Sequence, residues 1–298
     1  MNPYLGQTFA LMTALCFAQN SLIYSHVGKQ IGSSTVAHIR LWLALPMLLL
    51  LHSLMRSTPF PLGLDPGVYI SLLLSGFIGF FIADLFLFKG FVEFGPRETL
   101  VVLTTSPIFS ALLSYFIFSE GLSPAQIFGI LLTVGGVIWV ISEEHRRDTR
   151  PRGHLTKGAV AAFAGTITQS AAMVLAKGGM AAEIHPVSGN LLRLIGGFVG
   201  LVLFALIRRR FITDFQRSAH VKILLLLAFA AAAGPVMGII FTLAAMNLAP
   251  LGIVSALSQV SPIFLLPFER FILKKRLGPG AFMGTLLAIA GSVMLFLV

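Results

Sequence analysis

The sequence predicts an all-α integral membrane protein, ten transmembrane helices arranged as two five-helix halves around a central cavity. Three observations carry this: an apolar composition, apolar runs of spanning length, and motifs that recur half a chain apart. Of 298 residues, 56% are hydrophobic and only 11% are charged, against about 25% charged in an ordinary soluble domain. Too few polar groups remain to clothe a water-facing surface. Lipid is the expected solvent. A helix crosses the hydrocarbon core with about 20 apolar residues, and runs of that length fill nearly the whole chain.

Taken in order, the first half gives helices over residues 4–24, 34–55, 67–88, 99–118 and 123–142. The second half gives 157–177, 187–207, 221–246, 251–273 and 279–298. The connectors carry ordinary stop signals: Pro59 and Pro61, Gly95-Pro96, Ser123-Pro124, Pro186, Ala249-Pro250 and Gly278-Pro279. The N-terminal Met1-Asn2-Pro3-Tyr4 lacks the basic region of a signal peptide, so the first span is expected to be retained. The single cysteine, Cys16, can form no internal disulfide. One charged linker, residues 143–157 with Pro151 and Gly153, divides residues 1–142 from 158–298.

That division coincides with a repeat. Ser106-Pro107-Ile108-Phe109 returns as Ser261-Pro262-Ile263-Phe264, 155 residues later. At the same offset Leu122, Pro124, Gly129 and Gly136 return as Leu277, Pro279, Gly284 and Gly291. Ile31 and Arg40 return as Ile184 and Arg193, at an offset of 153. A repeat of five spans, being odd in number, places its two copies in opposite orientations. Inverted repeats are a recurring transporter architecture, with the substrate site near the midplane at their interface.

The net charge of +10 raises the possibility of a nucleic-acid partner, which the positions of the basic residues exclude. They fall in connectors between apolar spans, where they orient helices and meet anionic headgroups. One set of connectors carries Lys29, Lys89, Arg97, Arg146, Arg147, Arg150, Arg152, Lys157, Arg208, Arg209, Arg210, Arg217, Lys222, Arg270, Lys274, Lys275 and Arg276. The opposite set carries only Arg56 and Lys177. Basic residues gather on the cytoplasmic side, so the count places both termini outside.

The repeated segments resemble the drug/metabolite transporter superfamily, and specifically its paired EamA domains. The carriers of the resemblance are Ser106-Pro107-Ile108-Phe109 followed by Glu120-Gly121-Leu122 and Gly129, the looser copy from Ser261 to Gly291, and the paired Arg40 and Arg193. It covers essentially the whole chain. The resemblance implies a basket of helices whose cavity is lined by the first, third, fourth, sixth, eighth and ninth spans. It implies a carrier of amino acids or other metabolites, nucleotide sugars or drugs, and for many bacterial relatives an exporter of the inner membrane. Two departures stand out. Glu120 becomes Lys275 in the second copy, and relatives with cytoplasmic termini oppose the orientation that the charge count gives.

Polar groups inside spans are costly in lipid and should face one another or a wet cavity. Asp84, in the third span, reads either as a substrate-amine contact or proton acceptor, or as a partner that fixes a neighbouring helix. Lys89 could bind a substrate carboxylate, or anchor at the interface by snorkelling. Arg40 and Arg193 read as architectural, as do Glu269 and Arg270 at the end of the ninth span. Uncharged residues outline the pocket: Asn20 and Tyr24 in the first span, Thr104 and Thr105 in the fourth, Thr168 and Gln169 in the sixth. In the ninth, Ser255, Ser258, Gln259 and Pro262 share one helical face. Phe80 and Phe81 could form apolar walls or face lipid. Pro107, Pro262 and the pair Gly234-Pro235 should interrupt helical hydrogen bonding and flank the site. Gly196/Gly200, Gly234/Gly238, Gly129/Gly136 and Gly284/Gly291 suit close helix packing.

Enzyme signatures are missing: no H-E-x-x-H, G-x-S-x-G or P-loop occurs, and seven histidines lie scattered. Neither an enzymatic activity, a metal nor a cofactor is expected. The expected partners are a small-molecule substrate and the lipid bilayer, and nothing beyond a monomer is required. Besides an amino acid or metabolite carrier, the sequence leaves open a lipophilic-cation exporter, an intramembrane enzyme and a passive pore.

Overall fold

Backbone polar groups in hydrocarbon must be satisfied within their own segment, and in the computed structural model the chain answers with helices. The structure describes residues 4–106, 108–109, 113, 123–147, 152–180, 184–248, 254, 257–258, 260–267 and 278–297. The long helices are α1 (Leu5–Ile31), α2 (Ser33–Arg56) and α3 (Pro66–Glu93). The short α4 (Pro96–Leu103) is followed by α5 (Pro124–Arg147), α6 (Arg152–Met180) and α7 (Pro186–Ile207). After these come α8 (Phe211–Ser218), α9 (Val221–Leu248), α10 (Ser261–Pro267) and α11 (Pro279–Leu297).

Among the described residues, α2, α3, α6, α7 and α9 have the length and apolarity to cross a membrane. Leu50, Ile70, Leu131, Leu225 and Ile207 are 62–80% exposed, an apolar exterior that suits acyl chains. A multi-pass membrane protein follows. The charged stretch 143–157 is helical at both of its described ends, because α5 runs on to Arg147 and α6 starts at Arg152. One expectation needs correction. Arg97 does not lie in a headgroup-facing connector: it is 2% exposed in the first turn of α4, donating to Glu98 Oε1 at 2.7 Å.

The two halves repeat each other in detail. Both α3 and α9 widen into one π-helical stretch, Phe77–Ala83 and Ala232–Gly238, starting 155 residues apart. In α9 the cause is Pro235, which lacks an N–H and crowds the preceding turn. The chain is opened there and not broken. Asn190 Nδ2 donates to the carbonyls of Pro235 (2.8 Å) and Val236 (3.3 Å), so acceptors around the opened turn find a partner. No proline opens α3. There the wide turn coincides with Gly76 and Gly79, where α7 and α6 come close.

Packing is reciprocal. Helix α3 lies against α6, and its counterpart α9 lies against α1. Helices α5 and α11 form a pair in which Gly136 meets Gly284 and Ala288, while Gly291 meets Gly129 and Thr133. Shifting the first contact by 155 residues gives the second, and the two helices run antiparallel. The main apolar core joins α1, α2, α3, α7 and α9 through Val27, Leu41, Leu72, Phe88, Leu191 and Leu243. A smaller cluster under α4 holds Phe94, Val101, Val140, Leu155 and Ala288.

Helix α8 is short, amphipathic and unforeseen from sequence, because eight residues between Arg208-Arg209-Arg210 and Val221 read as connector. Its Asp214 is buried against α2. Thr35 Oγ1 donates to Asp214 Oδ1 at 2.7 Å. Trp42 Nε1 donates to His38 Nε2 at 3.1 Å, so His38 Nδ1 carries the proton and donates to Asp214 Oδ2 at 3.0 Å. Phe211 and Phe215 pack on Trp42 and His38. Hydrogen bonds to a charged group contribute about 1.5–3 kcal/mol. Asp214→Ala is therefore expected to release α8 from α2, seen as faster amide exchange over residues 211–218 with exchange in α7 unchanged. Equal exchange in parent and variant would show that Asp214 does not hold the helix.

Candidate functional site

A cavity of about 410 Å³ lies where the halves meet, within the range of small-molecule sites. Its described lining comes from α1, α2, α3, α4, α6, α7, α9 and α10, with Ser106 just after α4 and the helical residues Val254 and Ser258 ahead of α10. Lys177 and Gly178 are exposed, whereas the rest of the lining is buried or half-buried. The cavity therefore opens at the C-terminal end of α6.

Its floor is an ion pair. Arg40 Nη2 donates to Asp84 Oδ2, and both side chains are buried. Three rings surround the guanidinium, Tyr24 at 5.7 Å, Phe80 at 5.6 Å and Phe88 at 4.8 Å, where the negative ring faces attract a cation. Tyr24 is placed by donating its hydroxyl to Ala230 O at 3.2 Å. Position 40 is seven residues into α2, and position 193 is seven residues into α7.

Arg193 is 1% exposed, and its guanidinium lies over the Phe80 ring of the same cluster, 5.5 Å from the centroid. Its Nη2 reaches only the Met173 sulfur at 3.7 Å, a weak acceptor. Its Nε and Nη1 have no hydrogen-bond partner among the described residues. The reason is a break in the repeat. Asp84 follows the π-helical stretch of α3; the residue that follows the stretch of α9 is Ile239. Both line the cavity.

The two amides are matched as well. A Cβ on Gly234 would overlap Asn20 Nδ2 and lie 3.3 Å from Tyr24 Oη. A Cβ on Gly79 would lie 3.4 Å from Gln169 Oε1 and 3.6 Å from Arg193 Nη2. Gly79 and Gly234 are 155 residues apart, and each brings the amide of the other half's first helix to an opened turn. Asn20 Oδ1 and Ser258 Oγ also lack partners among the described residues. Unsatisfied polar atoms thus gather on one hollow.

Of the residues expected at the site, Asn20, Tyr24, Asp84, Gln169, Ser258, Gly234 and Pro235 line the cavity, together with Arg40 and Arg193. Thr104, Thr105, Thr168 and Lys89 do not. Thr104 and Thr105 are buried and turn their hydroxyls back to Val101 O and Val102 O, both at 2.7 Å. Thr168 does the same to Ala164 O at 2.8 Å. In each case a short hydroxyl finds its own helix carbonyl sooner than a cavity. Lys89, half-buried, is two residues beyond the lining residue Leu87 and so on another face of the helix. Pro262 lies in the first turn of α10, where a proline costs no intrahelical bond, and is not in the lining. Gln259, Pro107, Ser255 and Glu269 fall outside the described residues. Phe80 is a wall of the cavity; Phe81 packs instead on Phe77 and Phe204.

Met173, Lys177 and Thr242 line the cavity without having been singled out for it. Met173 had no visible signal. Lys177 did, being one of two basic residues on its membrane face. Arg193 was noticed, but its repetition of Arg40 pointed to architecture, since the missing carboxylate at position 239 shows only when the halves are superimposed on their opened turns.

Three comparisons bear on this arrangement. The EamA-like transporter family matches residues 4–142 and again 156–297. No curated protein matches the chain. A solved crystal structure shares the fold with a TM-score of 0.66 at 16% identity, covering 98% of this chain and 96% of the other.

Proposed function

Because the chain belongs to the EamA-like transporter family, we propose that it is a secondary carrier that moves amino acids or related small metabolites by alternating access. The observation that carries this reading is the shared cavity: both halves supply its polar groups, Arg40/Arg193 and Ser106/Ser261 from equivalent positions, and it opens at one end. Ten spans in two inverted five-helix repeats, residues 1–142 and 158–298, are the architecture that fits. The antiparallel contacts of α5 with α11 support it, since equivalent helices of inverted copies must run in opposite directions. Rocking of one copy against the other would then close the Lys177 end and open the far one.

In this reading Asn20 and Gln169 hold polar groups of the substrate, Ser258 and Gln259 add further bonds from the ninth span, and Phe80 packs on its apolar body. The wide turns at Gly79 and Gly234 absorb the motion. Export across a bacterial plasma membrane is the direction and place that the resemblance to bacterial relatives implies. A lipophilic-cation exporter fits less well, because Asp84 is the only carboxylate of the described lining and Arg40 already neutralises it.

Counterflow in proteoliposomes tests the proposal with a panel of labelled amino acids and metabolites. Saturable exchange is expected for at least one. Asn20→Ala and Gln169→Ala should each raise its KM about fivefold, the loss of one hydrogen bond. Flux that rises in proportion to concentration for every compound would mean a pore and end the carrier reading.

A further inference from the structure

We infer that the substrate is a small organic anion, and that Arg193 is the residue that binds its carboxylate. This inference rests on the carrier reading above and narrows it. The four charges of the described cavity lining are Arg40, Asp84, Arg193 and Lys177. Arg40 and Asp84 cancel each other. Arg193 and Lys177 remain, so the described lining carries an excess of two positive charges. A guanidinium keeps its charge at physiological pH and presents a planar fork that matches a carboxylate.

Buried charges are tolerated where a partner meets them, and Arg193 shows what such a partner looks like by what its equivalent has. Arg40 has aromatic faces and a carboxylate. Arg193 has one aromatic face, that of Phe80, and a methionine sulfur, with Nε and Nη1 unfilled among the described residues. Ile239 stands where an acidic residue would complete it. An incoming carboxylate supplies the missing half of that pair. The Phe80 ring lies 5.6 Å from the Arg40 guanidinium and 5.5 Å from that of Arg193, so an apolar body next to the carboxylate meets its ring, and Gln169 is close enough to Gly79 to bond a neighbouring polar group. Exposed Lys177 at the mouth draws anions in and slows cations.

The same inventory disfavours an ammonium group, since the one acidic side chain of the described lining is occupied. The prediction is an order of preference within one carbon skeleton: the α-keto acid best, the zwitterionic amino acid next, the decarboxylated amine last.

The test uses the full-length protein in proteoliposomes and in detergent, with the α-keto acids of alanine, leucine and phenylalanine, their amino acids and their amines as probes. At least one keto acid should exchange with a KM about tenfold or more below that of its amine. Arg193→Gln should raise that KM about tenfold to a hundredfold, the effect of losing a charge-assisted bond, and Arg193→Lys should fall between. Ile239→Asp tests the idea with Arg193 left in place, by giving it the carboxylate that Arg40 has; keto-acid binding should drop to a similar degree.

Three results overturn the inference. One is an amine exchanging as well as its keto acid. Another is Arg193→Gln and Ile239→Asp both retaining the parent KM. The third is an absence both of exchange and of any keto-acid effect on the unfolding temperature. The carrier reading fails separately: keto acids that raise the unfolding temperature of the parent but not of Ile239→Asp, with no flux of any probe, leave the anion site standing and remove transport.

Discussion

Asp84→Leu should destabilise the protein by about 3–5 kcal/mol, the cost of leaving one partner of a buried ion pair uncompensated. The stranded group would be Arg40, 4% exposed at the bottom of the cavity and enclosed by Tyr24, Phe80 and Phe88. Those ring faces recover part of the lost attraction, as cation–π contacts do at desolvated sites, but not the bond to the carboxylate. Unfolding of the purified protein in detergent measures the effect. The double variant Arg40→Met/Asp84→Leu should recover most of the loss, because a buried pair replaced by apolar residues of similar volume is often neutral. A single variant as stable as the parent would mean that the two side chains do not form a pair in the folded protein.

Gly76→Val should be comparably damaging, at about 3 kcal/mol or more. A Cβ at Gly76 would fall on the backbone carbonyl of Arg193, and one at Gly196 would fall on that of Leu73. Helices α3 and α7 thus cross backbone to backbone, as small residues allow in membranes. Side chains can turn aside from an added methyl; a helical carbonyl cannot. The crossing also sets the height of Arg193 against Phe80, so a variant that still folds should lose the cavity geometry along with stability. Gly67→Val in the same helix is the control, since nothing lies within 4 Å of a Cβ there. Equal expression and equal unfolding temperatures for the two variants would show that the crossing is looser than described.

Much of the fold was readable from spacing. The runs at 34–55, 187–207 and 221–246 become α2, α7 and α9 with ends moved by a residue or two. The first span extends further, to Ile31, because its last two turns are polar on one face and bury Val27, Gly28 and Ile31 on the other. Helix α8 escaped because eight residues give too few periods to separate an amphipathic helix from a connector. At the site, Asn20, Tyr24, Gln169 and Ser258 stood out as polar residues in apolar runs and do line the cavity. Thr104, Thr105 and Thr168 stood out for the same reason and do not. A threonine hydroxyl can be satisfied by the carbonyl one turn back, and no sequence pattern tells that choice from a cavity-facing one.

What the amino-acid order determined alone was the solvent, the helical class and the repeat, because each follows from local quantities: apolar length, charge position and recurrence. What only the tertiary structure decided was pairing. Asp84 could have met a substrate, a lysine or an arginine; the crossing of α2 with α3 gave it to Arg40. Arg193, the counterpart of Arg40 in every local respect, was left without a carboxylate among the described residues, since the position equivalent to Asp84 carries isoleucine. Electrostatic partnership depends on distances of a few ångströms between segments far apart in the chain, and those distances exist only once the halves have packed.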